Sequence, residues 1–420
     1  MPDTPPHAAD LAPDMAPDLP PSDLPMSGIR VLDCATFIAA PYTAAILGEF
    51  GAEVIKVEQP GEGDPFRKFG TPAARDTLAW LSEARNKKSV TLNLRDPKGA
   101  DLFRQLIAQS DVLCENFRPG TLEKWGLGWE ELKRINPRLV MLRVSGYGQD
   151  GPYRDRPGFA RIAHAFGGLT YLAGLPGELP VTPGSTSLAD YMSGLYGAIG
   201  VLLALRQRDK AGNGQGQYID VALYESVFRA LDELAPAFFK IGKLREPEGT
   251  GTTNACPHGH FRCGDGKFVA VACTSDKMFE RLAQVMGRPE LAAEDMFRTT
   301  RQRLARHKEV DGIVAAWMHS MSRDAVMAAC IKGEVPCGPI NSIADIAEDP
   351  HFQARGNLLH MMDALVGEVV IPSVLPRLSD TPGRVTNLGP SLGADNDAIY
   401  GDLLGLSAED RAALKDAKVI

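Results

Sequence analysis

The alternation of strands and helices between residues 28 and 145 constrains the fold most. Arg30-Val-Leu-Asp33 reads as a short buried strand. Pro41 to Phe50 reads as a helix with proline in its first turn and Gly51 at its end, and Glu53 to Val57 as the next strand. Strand, helix and strand in so short a space make a parallel βαβ unit. The pattern then repeats. Ser89 to Leu94 is strand-like, Lys98 to Gln109 helical, Asp111 to Glu115 strand-like, Leu122 to Ile135 helical and Leu139 to Val144 strand-like. The pattern predicts an α/β fold with a doubly wound, Rossmann-like large domain.

A long apolar helix is predicted from Asp190 to about Gln207. A glycine-rich turn (212–216), a strand (218–223) and a helix from Tyr224 to about Phe239 follow. After Gly242 the texture changes. Residues 245–257 are loop-like, and His260 to Cys263 and Lys267 to Cys273 flank Gly264-Asp-Gly266, a hairpin signal. A smaller α+β domain is expected at 243–333. Val335-Pro-Cys-Gly-Pro339 should break regular structure and serve as a return linker. Residues 1–26 are rich in Pro and Asp, lack Lys and Arg, and are expected to form a disordered tail rather than a signal peptide.

The net charge of −8 excludes a general basic surface for nucleic acid, so an anionic ligand would need local basic spots. Seven dispersed cysteines suit reduced thiols in a cytoplasmic protein. The uncharged run Tyr191 to Leu205 is shorter than the roughly 20 residues a bilayer demands, and reads as a buried helix rather than a membrane span.

Four constellations bear on chemistry. The first βα turn, Cys34 to Ala40, lacks the glycines of a dinucleotide fingerprint, and no P-loop is present. Cys256, His258, His260 and Cys263 offer four metal-ligand types, but strand alternation would split their directions, so no metal is expected. Cys337 sits in a turn with neither base nor helix N-terminus beside it, a poor setting for a thiolate nucleophile. Asp190 precedes the long helix. Read locally it is foremost an N-cap, though the position also suits an ionised carboxylate that attacks an acyl carbon. Ser193 and Gly194 would leave room there for a bulky thioester.

From Gly28 to the C-terminus the chain resembles the family III CoA-transferases. The landmarks are GIRVLD (28–33), LGEFGAEVIKVEQPGEGDPFR (47–67), RNKKSVTLNL (85–94), ENFRPGTLEKWGLG (115–128), VSGYGQDGPY (144–153), LADYMSGLYG (188–197), GQGQYIDVAL (214–223) and VPCGPI (335–340). The resemblance implies that Asp190 is the nucleophile that carries CoA as an aspartyl thioester. It implies CoA contacts at Ile38, Ala39, Gln59, Leu92, Arg95, Asn116, Phe117, Arg118 and Lys124. CoA and acyl-CoA would be substrates, with no tightly bound cofactor. The acceptor would be a C4 or C5 dicarboxylate, with succinyl-CoA as donor, and Asn254, His258 and His260 would face the acid.

The family architecture implies a large domain (27–225), a linker helix (226–242), the small domain (243–333) and a return (334–420). Two such chains would interlock as a homodimer, or as a pair with a paralogous chain. Two other readings stay open. An α-methylacyl-CoA racemase would need an acid/base pair where Phe159 and Ala160 stand, and His164 is out of register for that role. A non-catalytic subunit of the fold would not need Asp190.

Overall fold

The computed structural model describes residues 23–210, 212 and 214–420. The chain divides into two compact units. The first comprises the chain to Leu169, Gly184–Asp232 and Pro350–Ile420; the second comprises Thr170–Pro183 and Glu233–Asp349. The expected small domain, 243–333, lies inside the second unit.

The first unit is built on a six-stranded parallel sheet of order β3-β2-β1-β4-β5-β6. Its strands are β1 (Arg30–Asp33), β2 (Glu53–Glu58), β3 (Lys87–Thr91), β4 (Val112–Glu115), β5 (Val140–Ser145) and β6 (Tyr218–Ala222). The order reverses between β1 and β4, and doubly wound folds bind ligands in the crevice outside such a reversal. Alternate residues feed two cores. Val31, Val54, Val112 and Leu142 join α1 (Ala39–Glu49), α6 (Ala160–Phe166), α8 (Leu188–Lys210) and α9 (Leu223–Phe228) on one face. Leu32, Ile55, Leu113 and Met141 meet α3 (Pro97–Ala108), α5 (Trp129–Ile135) and the C-terminal Val419 and Ile420 on the other. Two short helices, α2 (Leu78–Glu83) and α4 (Thr121–Lys124), and an antiparallel hairpin of β10 (Leu358–Asp363) and β11 (Gly367–Pro372) also belong to the unit.

In the second unit β7 (His258–Arg262), β8 (Phe268–Ala272) and β9 (Cys337–Pro339) form an antiparallel sheet. It packs through Phe261, Val269 and Val271 on helices that include α13 (His307–His319) and α14 (Arg323–Lys332).

Several expectations need correction. Most of the predicted tail lies outside the described residues, but order begins before Gly28. Leu24 and Met26 are buried, and the Met26 N–H donates to the Phe50 carbonyl. The expected helix 122–135 is two helices, α4 and α5, because Gly126 turns left-handed at φ +66. The expected linker helix 226–242 is likewise interrupted: α9 ends at Phe228, Asp232 takes φ +48, and α10 spans Leu234–Ile241. Residues 337–339 are no linker; they pair with β8. α8 begins two residues before Asp190 and runs 23 residues, long and apolar enough to cross a membrane by length and composition. Its buried stripe (Ala189, Ser193, Gly197, Val201 and Leu205) belongs to the core, whereas Leu195, Ile199, Leu202 and Leu203 are exposed rather than buried.

Candidate active site

A cavity of about 190 Å³ opens at the C-terminal ends of β1, β4 and β5. Thr36 to Ala39, Asn116 to Pro119 and Val144 to Gly146 wall it, with Asp190 reaching in from α8. A second cavity, about 280 Å³, lies beside β2 and β3 and is lined by Gln59, Leu92, Arg95 and Trp125 among others. Thr36 and Phe117 line both.

The turn after β1 has no glycine, so its shape must come from side chains. Phe37 is left-handed at φ +61, a conformation that costs a non-glycine residue about 1–2 kcal/mol. Its N–H donates to Asp64 Oδ1 at 3.0 Å. One residue earlier, the Thr36 N–H donates to Asn116 Oδ1 at 2.8 Å and Asn116 Nδ2 returns a bond to the Thr36 carbonyl at 2.7 Å. Beneath them lies a buried ionic cluster. Lys56 Nζ pairs with Asp64 at 2.9 Å and donates to the Ala35 carbonyl; Lys87 Nζ pairs with Asp33 at 2.9 Å. Burial opposes the charge on Lys56, but Asp33, Asp64 and Glu58 outweigh it and hold the ammonium above its ordinary pKa. Removing one member would leave a buried charge without its partner, so the cluster fixes the turn.

Asp190 is not an N-cap. It is the third residue of α8, its N–H bonded to the Ser187 carbonyl. Among the described residues no hydrogen bond or ion pair reaches its carboxylate, and burial alone pushes it up to about 7. Arg118, Arg154 and Arg156 line the same cavity, which gives an acidic protein a locally basic recess fit for an anionic ligand. Ser193 and Gly194 do not make room for a ligand. Ser193 Oγ donates to Ser226 at 3.0 Å, and a Cβ on Gly194 would stand 2.8 Å from the Ala39 carbonyl. These residues let α8 close on α1, and Thr43 Oγ1 bonds the Gly194 carbonyl at 2.7 Å.

Of the predicted positions, Ile38, Ala39, Asn116, Phe117 and Arg118 share the first cavity with Asp190. Gln59, Leu92 and Arg95 line the second, where the Arg95 guanidinium lies 5.8 Å from the Trp125 ring. Lys124 is exposed on α4 and lines neither. In the second unit His258 and His260 project on one side of β7 into a separate cavity of about 650 Å³, while Asn254 lies beside it without lining it. Cys263 is buried in the core behind the sheet, away from the two histidines, whereas Cys256 lines their cavity.

Sequence reasoning missed Arg154 and Arg156 at the first cavity, although two arginines directly after GYGQDGP were a visible signal. It also missed His307 and Asp311, which join His258 across about fifty residues of chain with no local signal.

A family model described as CoA-transferase family III matches residues 26–396. The chain is 59% identical to the succinyl-CoA–L-malate CoA-transferase alpha subunit of Chloroflexus aurantiacus, over 94% of this chain and 93% of that one. It is 58% identical to the beta subunit of the enzyme of that name from the same species, over 94% and 98%. Among solved structures it is similar to a CAIB/BAIF family protein from Brucella suis, with a TM-score of 0.81 and 33% identity over 90% of this chain and 99% of that one.

Proposed function

The chain belongs to CoA-transferase family III, and from that premise we propose that it moves CoA from succinyl-CoA to a C4 or C5 dicarboxylate, malate foremost, with Asp190 as nucleophile. The observation that carries this reading is a lone carboxylate in an arginine-lined cavity at the crevice of a doubly wound sheet. The substrate pair rests on the high identity to both malate-transferase subunits over nearly their full lengths.

In the first step an Asp190 oxygen attacks the thioester carbonyl of succinyl-CoA. The C–S bond breaks, leaving an aspartyl–succinyl anhydride and CoA thiolate. The thiolate attacks the aspartyl carbonyl of the anhydride and expels succinate, so CoA is held as an aspartyl thioester. The carboxylate of the acceptor acid attacks that thioester, gives a second anhydride and releases thiolate. The thiolate then attacks the acceptor's carbonyl, forms the product thioester and frees Asp190. Activation passes from thioester to anhydride and back, so no external energy source is needed. Each intermediate is hydrolysable, and a recess that limits water favours transfer over hydrolysis.

The two adjoining cavities suit an elongated CoA thioester. Its reactive end would lie with Asp190, and its nucleotide end with Arg95 and Trp125, where a phosphate meets a guanidinium and a base meets an indole. We infer that the working form contains two chains, either copies of this one or this one with a paralogue. The near-equal similarity to an alpha and a beta subunit supports this, as do the exposed Leu195, Ile199, Leu202 and Leu203 along α8.

Phe159, which lines the first cavity, and Ala160, the first residue of α6, carry no titratable group, which disfavours a racemase. The test is a transfer assay on the purified chain with succinyl-CoA and a panel of dicarboxylates, read by mass spectrometry. Conversion of malate by the wild type and none by Asp190→Asn is the expected result. Undiminished transfer by folded Asp190→Asn refutes the reading.

A further inference from the structure

His164 stands in the middle of α6 and is 1% exposed. Its Nε2 accepts the backbone N–H of Ala189 at 2.9 Å, and Ala189 is the residue before Asp190. The first amides of a helix have no acceptor within the helix, and the usual remedy is a short polar side chain at its own N-cap. Here the acceptor arrives from another helix. An acceptor at Nε2 must be the unprotonated nitrogen, which places the ring proton on Nδ1. Nδ1 is buried and, among the described residues, has no hydrogen-bond partner. An apolar side chain would fill the same space without that orphan, so packing alone does not explain an imidazole here. The same helix begins beside Gly158 and Phe159, which line the cavity into which Asp190 reaches. The segment 158–166 thus lines the cavity at its start and, through His164, holds the start of α8.

We propose that His164 is a positioning residue for the nucleophile: by accepting the Ala189 N–H it fixes the first turn of α8 so that the Asp190 carboxylate faces the cavity. It touches no reacting atom. The inference rests on the reading of Asp190 as nucleophile. Burial and the nearby Arg161 favour the neutral ring, which the acceptor role needs.

The experiment uses the full-length chain and succinyl-CoA. It follows formation of the covalent enzyme species in a single turnover by rapid quench and mass spectrometry. Three proteins are compared with the wild type. His164→Gln can present a carbonyl where Nε2 stands, His164→Met fills the space with no comparable acceptor, and Asp190→Asn removes the nucleophile. The expected result is a ten- to hundredfold slower covalent step in His164→Met, with KM for succinyl-CoA within about twofold and melting temperature little changed. His164→Gln should recover most of the rate.

A rate within twofold of wild type in folded His164→Met overturns the inference, as does equal impairment of both His164 variants. Should His164→Met not fold, His164→Asn, whose shorter carbonyl stops short of Ala189, takes its place in the comparison. A covalent species on Asp190→Asn would instead refute the nucleophile assignment itself. Failure of the premise is therefore distinguished from failure of the inference.

Discussion

The environment of Asp190, the proposed nucleophile, predicts a pH profile unusual for an aspartate. Burial raises Asp190 to about 7 from an ordinary value of 3.8, and no partner offsets the rise. In the proposed mechanism the attacking form is the carboxylate. About a tenth of it is ionised at pH 6, half at pH 7 and about nine-tenths at pH 8. The kcat/KM for the acyl-CoA donor reports groups of the free enzyme, so it should rise about tenfold from pH 6 to pH 8. An ordinary aspartate would give a flat profile over that range. The same shift has a thermodynamic face. The folded state holds a proton that the unfolded state releases near pH 4, so stability falls as pH climbs from about 4 through about 7. Some three pH units at about 1.4 kcal/mol each set an upper limit of about 4 kcal/mol at pH 8, reduced by the solvent that reaches this half-buried group. Asp190→Asn removes the charge at nearly constant shape. It should therefore abolish transfer and melt above the wild type at pH 8, with the gap closing at pH 5. Initial-rate kinetics with buffers of matched ionic strength and a thermal melt at two pH values provide the assay. A flat kcat/KM from pH 6 to 8, together with an Asp190→Asn protein no more stable at pH 8, would falsify the account of a desolvated, unpartnered carboxylate.

Other outcomes follow from the same geometry. Gly194→Ala forces a methyl to within 2.8 Å of the Ala39 carbonyl and should cost about 1–3 kcal/mol, seen as a lower denaturation midpoint. Arg95→Ala should raise KM for the acyl-CoA roughly tenfold with kcat little changed, since it touches the second cavity alone. Lys124→Ala, on an exposed surface outside both cavities, should leave KM within twofold. Cys337→Ser should keep full transfer, because a hydrogen bond with its neighbour Cys330, and then partial burial, hold the Cys337 thiol well above its ordinary value; loss of activity in a folded variant would reopen the thiol.

Legibility of this chain depended on the range of the signal. The strands of the large unit were readable because both faces of a parallel sheet are buried, so Val31-Leu32 or Leu113-Cys114 show as short continuous apolar runs. Helix boundaries were less readable. Asp190 looked like a cap because Asp is favoured there, whereas Ser187 starts the turn with its backbone carbonyl. Asp232 and Gly126 break helices through backbone conformations that periodicity does not encode. β9 was hidden because three residues that follow one proline and end on another read as a breaker, and only pairing with β8 makes them a strand. Asp190 and the first cavity's Ile38, Asn116 and Phe117 were found through motif resemblance. The ionic cluster that shapes their turn was not, since Asp33, Lys56, Asp64 and Lys87 meet only after three strands are laid side by side.

That cluster has a mechanical consequence. Gln59, Glu62, Gly63, Asp64 and Pro65 wall the second cavity, and Asp64 also fastens the N–H of Phe37 at the rim of the first. One short segment is thus the partition of one chamber and the latch of the other. A molecule seated in the far chamber would press on the piece that keeps the near one in shape. The two ends of an elongated substrate would then be felt jointly, through a single aspartate, rather than bound as independent halves.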